Sequence, residues 1–202
     1  MVFALVVIGA AAVAVPSLAL SSDLRDLLWL SDVHPKPVFA QARLLVEAPA
    51  DRGEVARLYE APSSIGGTCR FVDRAPAGSP VRTSDDDGGG MCQIGQPAQP
   101  PAGDAPMSWS IGRQPKTPDN VRGWRAPMLD GWVNPDLGAT RIALEWTGGS
   151  VELPFANDHF LFVSESLYEP PESNFPYELV AYDASGAEVG RTRIFKTALR
   201  VR

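Results

Sequence analysis

The sequence predicts an all-β domain, an antiparallel β-sandwich of immunoglobulin-like or related kind, with an apolar helix at its N-terminus. Three observations predict it. Pro 19 and Gly 18 in 202 residues call for many turns and short elements rather than long helices. Beyond Val38 the apolar residues recur with the strand period of two, and turn signals separate the runs at close spacing. The two cysteines, Cys69 and Cys92, lie among these strands and downstream of a segment that reads as an export signal. A hydrophobic share of 45% excludes global disorder, and the length supports one domain with a real core.

The elements follow in chain order. From Val2 to Leu20 there is no charge, and only Gly9, Pro16 and Ser17 interrupt the apolar run. Residues 1–20 therefore read as a signal peptide or a membrane anchor, in contact with the membrane if uncleaved. Ser17-Leu18-Ala19 places small residues where a signal peptidase requires them, so cleavage after Ala19 fits. No Lys or Arg precedes the run, contrary to the usual pattern of either kind of segment; a true start upstream of Met1 would supply one. No cysteine follows it for lipid attachment. Residues 21–37 read as a short helix, "DLRDLLWL", with Leu24, Leu27 and Leu28 on one stripe, stopped by Pro35 and Pro37.

Residues 38–202 read as the sandwich domain. "VFAQARLLVEA" from Val38 is extended, "ADRGE" is a turn, and "VARLYEA" from Val55 alternates as a half-buried strand does. "TCRFVDR" puts Cys69, Phe71 and Asp73 on one face and Arg70, Val72 and Arg74 on the other. "MCQIG" is a short strand with the second cysteine, so a meander results in which a Cys69–Cys92 bond closes a loose hairpin. Stretches 75–90 and 96–106 are too polar and Pro/Gly-rich to pack and read as mobile loops. "RGWRAPMLDGWVNPDLG" is aromatic but laden with turn residues. "TRIALEWTGGSVELPF" is two strands about Gly148-Gly149, "DHFLFVSES" is one more, and "YELVAYDASGAEVGRTRIF" is a hairpin turning at Asp183-Ala184-Ser185-Gly186.

Composition and motifs bound the function. A net charge of −6 excludes a general nucleic-acid binder, which needs a basic face. The excess of Arg over Lys goes with abundant Ala, Gly and Pro and carries no functional weight by itself. In an oxidising compartment two cysteines default to a disulfide, and zinc is the poorer reading because no further Cys or His stands near them. No G-x-S-x-G elbow, phosphate loop or H-E-x-x-H motif occurs, and no cofactor is implied. A carboxylate pair of the glycosidase kind is not readable from sequence, because the relevant separation is spatial. Between Arg141 and Arg191 there is no Lys or Arg, whereas acids run from Glu145 to Glu188, and the last twelve residues carry five positive charges. The last strand is expected to pair beside the acidic ones and balance them. A calcium site among those acids is the sharper alternative, without any D-x-D-x-D-G loop to support it.

"GEVARLYEAPSSIGGTCRF", "VELPFANDHFLFV" and "ELVAYDASGAEVGR" together resemble a group of exported proteins of GC-rich bacteria whose activity is uncharacterised. The similarity spans most of 43–193 and consists of strand and turn patterns. It implies a membrane-directed N-terminus before an all-β domain.

The expected role is binding or structural interaction at the cell envelope, without catalysis, the partner being a cell-wall glycan or an envelope protein. One alternative is a carbohydrate-binding module or glycan-directed enzyme that uses the Trp124/Trp132 loop, with Trp109 and Asp130 as further ligand contacts; flat indoles beside hydrogen-bonding groups suit sugars. Packing in the core is the competing expectation for these tryptophans, and Trp146 is expected in the core. A second alternative is a cysteine transpeptidase: "SSIGGTCR" is loosely similar to the Cys-Arg segment of sortases or L,D-transpeptidases. That chemistry needs a thiolate and a histidine base, and the chain offers only His34 and His159, without the fuller motif of either family. His159 is expected at the surface, opposite to Phe160 and Phe162.

Overall fold

A computed structural model of the chain describes residues 35–80, 90–93, 105–112, 126–167 and 175–194. The expected apolar helix, the helix at 23–30, His34, Trp124 and most of both loops lie outside the described residues. Among those described, twelve strands form three four-stranded antiparallel sheets, and the helical elements are 3₁₀ turns of three residues each. No helix among them is long and apolar enough to cross a membrane.

The first sheet is the expected meander: β1 (Arg43–Pro49), β2 (Glu54–Pro62), β3 (Thr68–Pro76) and β4 (Gly90–Gln93), in that order. Its start differs from expectation, because Phe39–Gln41 forms a 3₁₀ turn before β1 instead of extending the strand. Pro37 bridges to Ser63, and Phe39 sets its ring edge-on to Phe71 at 5.1 Å. A bulge between Leu44 and Val46 turns both Leu45 and Val46 into the interior. Alternation along β3 falls as expected. Arg70, Val72 and Arg74 share one face, and Cys69, Phe71 and Asp73 the other.

The middle sheet has the order β5 (Met107–Gly112), β6 (Met128–Val133), β10 (His159–Val163), β9 (Phe155–Ala156). The stretch that holds β6 is laden with turn residues, yet it forms a central strand. Gly131 explains the disguise: a Cβ there would lie 2.2 Å from the Ser108 carbonyl oxygen and 2.4 Å from Cζ of Phe160. A residue that looks like a turn former is the gap into which Phe160 packs. Asn157 and Asp158, at φ 49° and 61°, make the tight turn from β9 to β10.

The third sheet has the order β12 (Glu188–Ile194), β11 (Tyr177–Tyr182), β7 (Arg141–Trp146), β8 (Gly149–Leu153). Its hairpins turn where the sequence says they should. The Asp183 carboxylate accepts from the Ser185 and Ala187 amides at 2.8 and 3.0 Å, and Gly186 takes φ 84°.

Both faces of the middle sheet are covered. Leu129, Val133 and Phe160 share a core with Ile142, Leu144, Leu179 and Ala181 of the third sheet, and Trp146 packs against it. On the opposite face Leu161 joins Val46, Leu58 and Val72 of the first sheet. Strand β10 is therefore buried on two sides, with Phe160 and Leu161 facing opposite cores. At one margin the chain passes from β8 through Pro154 into β9; at the other, Gly190 of β12 sits against Pro106 and Leu137 so closely that a Cβ would be 2.8 Å from Pro106.

On the outer side of the third sheet Arg191 lies among the carboxylates of Glu178 (2.6 Å), Glu188 (2.7 Å) and Glu145 (3.4 Å). Strand β12 thus pairs beside the acidic β11 as expected, and Arg191 balances part of the acidic stretch; Lys196, Arg200 and Arg202 lie outside the described residues. Among the described residues no group of three or more His, Cys, Asp or Glu side chains could hold a metal ion.

Candidate functional site

Cys69 and Cys92 face each other directly in the β3–β4 register and are joined, with a sequence separation of 23. Cys69 is fully buried, and no described cysteine is free. A bonded sulfur is no nucleophile, so the oxidised chain does not present the thiolate that a transpeptidase would need.

The next residue in β3, Arg70, points the other way, toward the middle sheet. There the register of β5, β6 and β10 lines up polar side chains on one face: Ser108 beside Trp132 beside His159, then Ser110 beside Asp130 beside Leu161. Trp109 pairs with Gly131 and so belongs to the opposite face, where it packs on the core shared with the third sheet. Of the expected ligand contacts, then, Asp130 and Trp132 come together, Trp109 does not join them, and Trp124 lies outside the described residues. Trp132 is 9% exposed. His159 lies parallel to its ring at 5.6 Å, and the Arg70 guanidinium stands 5.3 Å from the ring centroid. An indole so covered cannot act as an open stacking platform.

His159 is 5% exposed, which corrects the expectation of a surface histidine. Alternation along β10 was read correctly, but the face opposite Phe160 meets the first sheet, not water. Its Nδ1 lies 2.5 Å from the Asn157 carbonyl oxygen, which can only accept, so Nδ1 carries the proton. Nε2 is buried with no hydrogen-bond partner among the described residues. Burial pushes the His159 pKa down and Arg70 adds to this, against the Asn157 bond, Glu60 and Asp158, which push it up.

Asp130 accepts a 2.8 Å hydrogen bond from the Ser110 hydroxyl. Burial pushes its carboxyl up, outweighing the Ser110 bond and the Arg70 charge that pull it down. A carboxylate whose ionised form is disfavoured by its surroundings works against stability at neutral pH, and such groups cluster at functional sites. Arg70 is also 4.0 Å from Glu60, which Arg43 holds at 3.2 Å. Ser108 and Ser110 are exposed, and Arg70 and Asp130 are half-buried. Two hydroxyls, a carboxylate and a guanidinium thus line the open margin of the seam between the first and middle sheets. They can give and accept hydrogen bonds, and the Ser110 hydroxyl already donates one to Asp130.

Sequence reasoning named Asp130 and Trp132 but missed Ser110, His159 and Arg70 as their neighbours. For Arg70 a signal existed, since alternation puts it on the inward face with Val72. Comparison of the chain with family models, with curated proteins and with solved structures finds no match.

Proposed function

We propose that this chain is an exported, non-catalytic β-sandwich protein that binds or supports other components of the cell envelope. Residues 1–20 act as its signal peptide or its anchor. One observation carries the reading: the Cys69–Cys92 bond, a link that persists in oxidising compartments and is rare in the cytosol. The uncharged run from Val2 to Leu20 and the resemblance to exported proteins of GC-rich bacteria support it. For the sandwich, the support is the larger core between the middle and third sheets, with the first sheet as an added layer over a second, smaller one. The test is a fusion of residues 1–34 to alkaline phosphatase, which becomes active only where its own disulfides form. An active fusion is expected; a well-expressed but inactive, cytosolic fusion overturns export.

A second reading, glycan recognition, is favoured by the row Ser108, Ser110, Asp130 and Arg70 at the open seam. It differs from the tryptophan-platform idea, because the hydrogen-bonding groups would do the recognising and Trp132 would support Arg70 from beneath. Soluble cell-wall glycan fragments titrated against the wild type and Asp130→Ala decide it. Binding that the substitution abolishes supports the reading; equal binding, or none to the wild type, refutes it.

A further inference from the structure

We propose that His159 makes the seam between the first and middle sheets a proton-operated latch, shut while its imidazole is neutral and loosened when acid charges it. The inference needs neither export nor a ligand. It rests on how this one side chain is wired. His159 donates through Nδ1 to the carbonyl of Asn157, and the side-chain amide of the same Asn157 donates to the Leu45 carbonyl at 2.8 Å. Leu45 is the bulged residue of β1. A continuous chain of hydrogen bonds therefore runs from the imidazole, through the β9–β10 turn, to the first sheet. The ring also stacks on Trp132, beside which Arg70 reaches in from β3.

The neutral imidazole fits this place: Nδ1–H has its acceptor, and bare Nε2 is the smaller penalty. The cation does not fit. Protonation would leave a buried Nε2–H without an acceptor among the described residues and put a second positive charge near Arg70. To solvate that proton the ring must leave Trp132, and the hook through Asn157 goes with it. The charged groups around the ring are Arg70 from β3, Glu60 from β2 with its partner Arg43 from β1, Asp158 from the turn, and Asp130 from β6. Glu60 and Asp158 favour the cation, and Arg43 offsets Glu60 in part.

The sign follows from linkage. A histidine whose proton affinity is lower in the fold than in the unfolded chain stabilises fully above the ordinary value of 6.5. That contribution is lost as pH falls through the folded value. Each tenfold difference in proton affinity between the two states lowers the acid-side Tm by about 3 °C. Asp130 acts oppositely, since its buried carboxyl favours the proton, so the informative quantity is the difference between the wild type and a His159 variant.

The experiment uses the full chain, whose two histidines, His34 and His159, give separable imidazole signals. NMR titration should place the His159 midpoint below 6.5. From about pH 7.5 to about pH 5.5, amide protection factors should fall at Val46, Leu58 and Val72 and hold at Leu144 and Leu179. In His159→Phe, which keeps a ring on Trp132 without the titrating nitrogen, the acid loss at the first sheet should vanish. Arg70→Met should raise the His159 midpoint, which keeps the proposal testable if His159→Phe does not fold. A midpoint at or above 6.5, acid loosening spread evenly over all sheets, or equal acid loss in His159→Phe would overturn it.

Discussion

Gly131→Ala adds one methyl group to the centre of the middle sheet and should unfold the domain well below the wild-type midpoint. Gly131 does not sit in the left-handed region, so backbone strain contributes nothing, and Ala in place of Gly would by itself stabilise by roughly 0.5–1 kcal/mol through the unfolded chain. Space decides the sign. The new Cβ would meet the Ser108 carbonyl oxygen at 2.2 Å and two Phe160 ring carbons at 2.4 and 2.7 Å. Neither neighbour can yield cheaply. The carbonyl belongs to the β5 backbone paired with β6, and Phe160 is fully buried in the core with the third sheet. Overpacking of this kind costs about 1–3 kcal/mol, and contact with backbone places it at the upper end. Net of the unfolded-state gain, a loss of about 2 kcal/mol is expected, or about 4–8 °C in Tm. Urea titration and thermal melts of the two proteins measure it. Adding Phe160→Leu should recover only part, because the carbonyl contact remains. A Gly131→Ala protein as stable as the wild type would refute the packing of β6 against β5 and β10.

The other predictions concern charge and the staple. Replacing Cys69 and Cys92 together by Ala should cost about 3 kcal/mol in the chain-entropy account, and hydrogen exchange should show β4 released first. Arg57→Met should cost about 3–5 kcal/mol, since Arg57 and Asp73 face each other in the β2–β3 register at 7% and 2% side-chain exposure, while Glu47 holds the same guanidinium at 2.7 Å. A double-mutant cycle with Asp73→Asn should then show coupling. Asp130→Asn should stabilise the protein at neutral pH. A carboxyl that favours its proton in the fold loses stability as pH rises beyond the ordinary carboxylate range, and Asn escapes that loss. Chemical denaturation at pH 7 and at about pH 4 checks both the gain and its disappearance in acid.

Much of the fold is legible in the sequence where one local rule settles the matter. Period-two alternation marks β2 and β3 and the faces of Cys69 and Arg70, and Asp183 with Gly186 marks the last hairpin. The missing pieces depend on what lies across space. The β6 residues Asp130 and Gly131 look like a turn because the reason for the glycine, the Phe160 ring, is far away in sequence. His159 looks exposed because a strand with one apolar face is assumed to show its other face to water, and only the packing of the first sheet on that other face buries both. The opposite facing of Trp109 and Trp132 follows from the β5–β6 register. A long connection such as that between these strands does not set a register, as a two-residue turn would.

Intact-mass analysis of the protein from its native cells, alkylated first without and then with reductant, bears most directly on the proposal that this stapled sheet protein is exported. The account predicts no label before reduction, a mass about 2 Da below that of the reduced chain, and two labels afterwards. Recovery of a cytosolic chain that takes up two labels without reductant would contradict it.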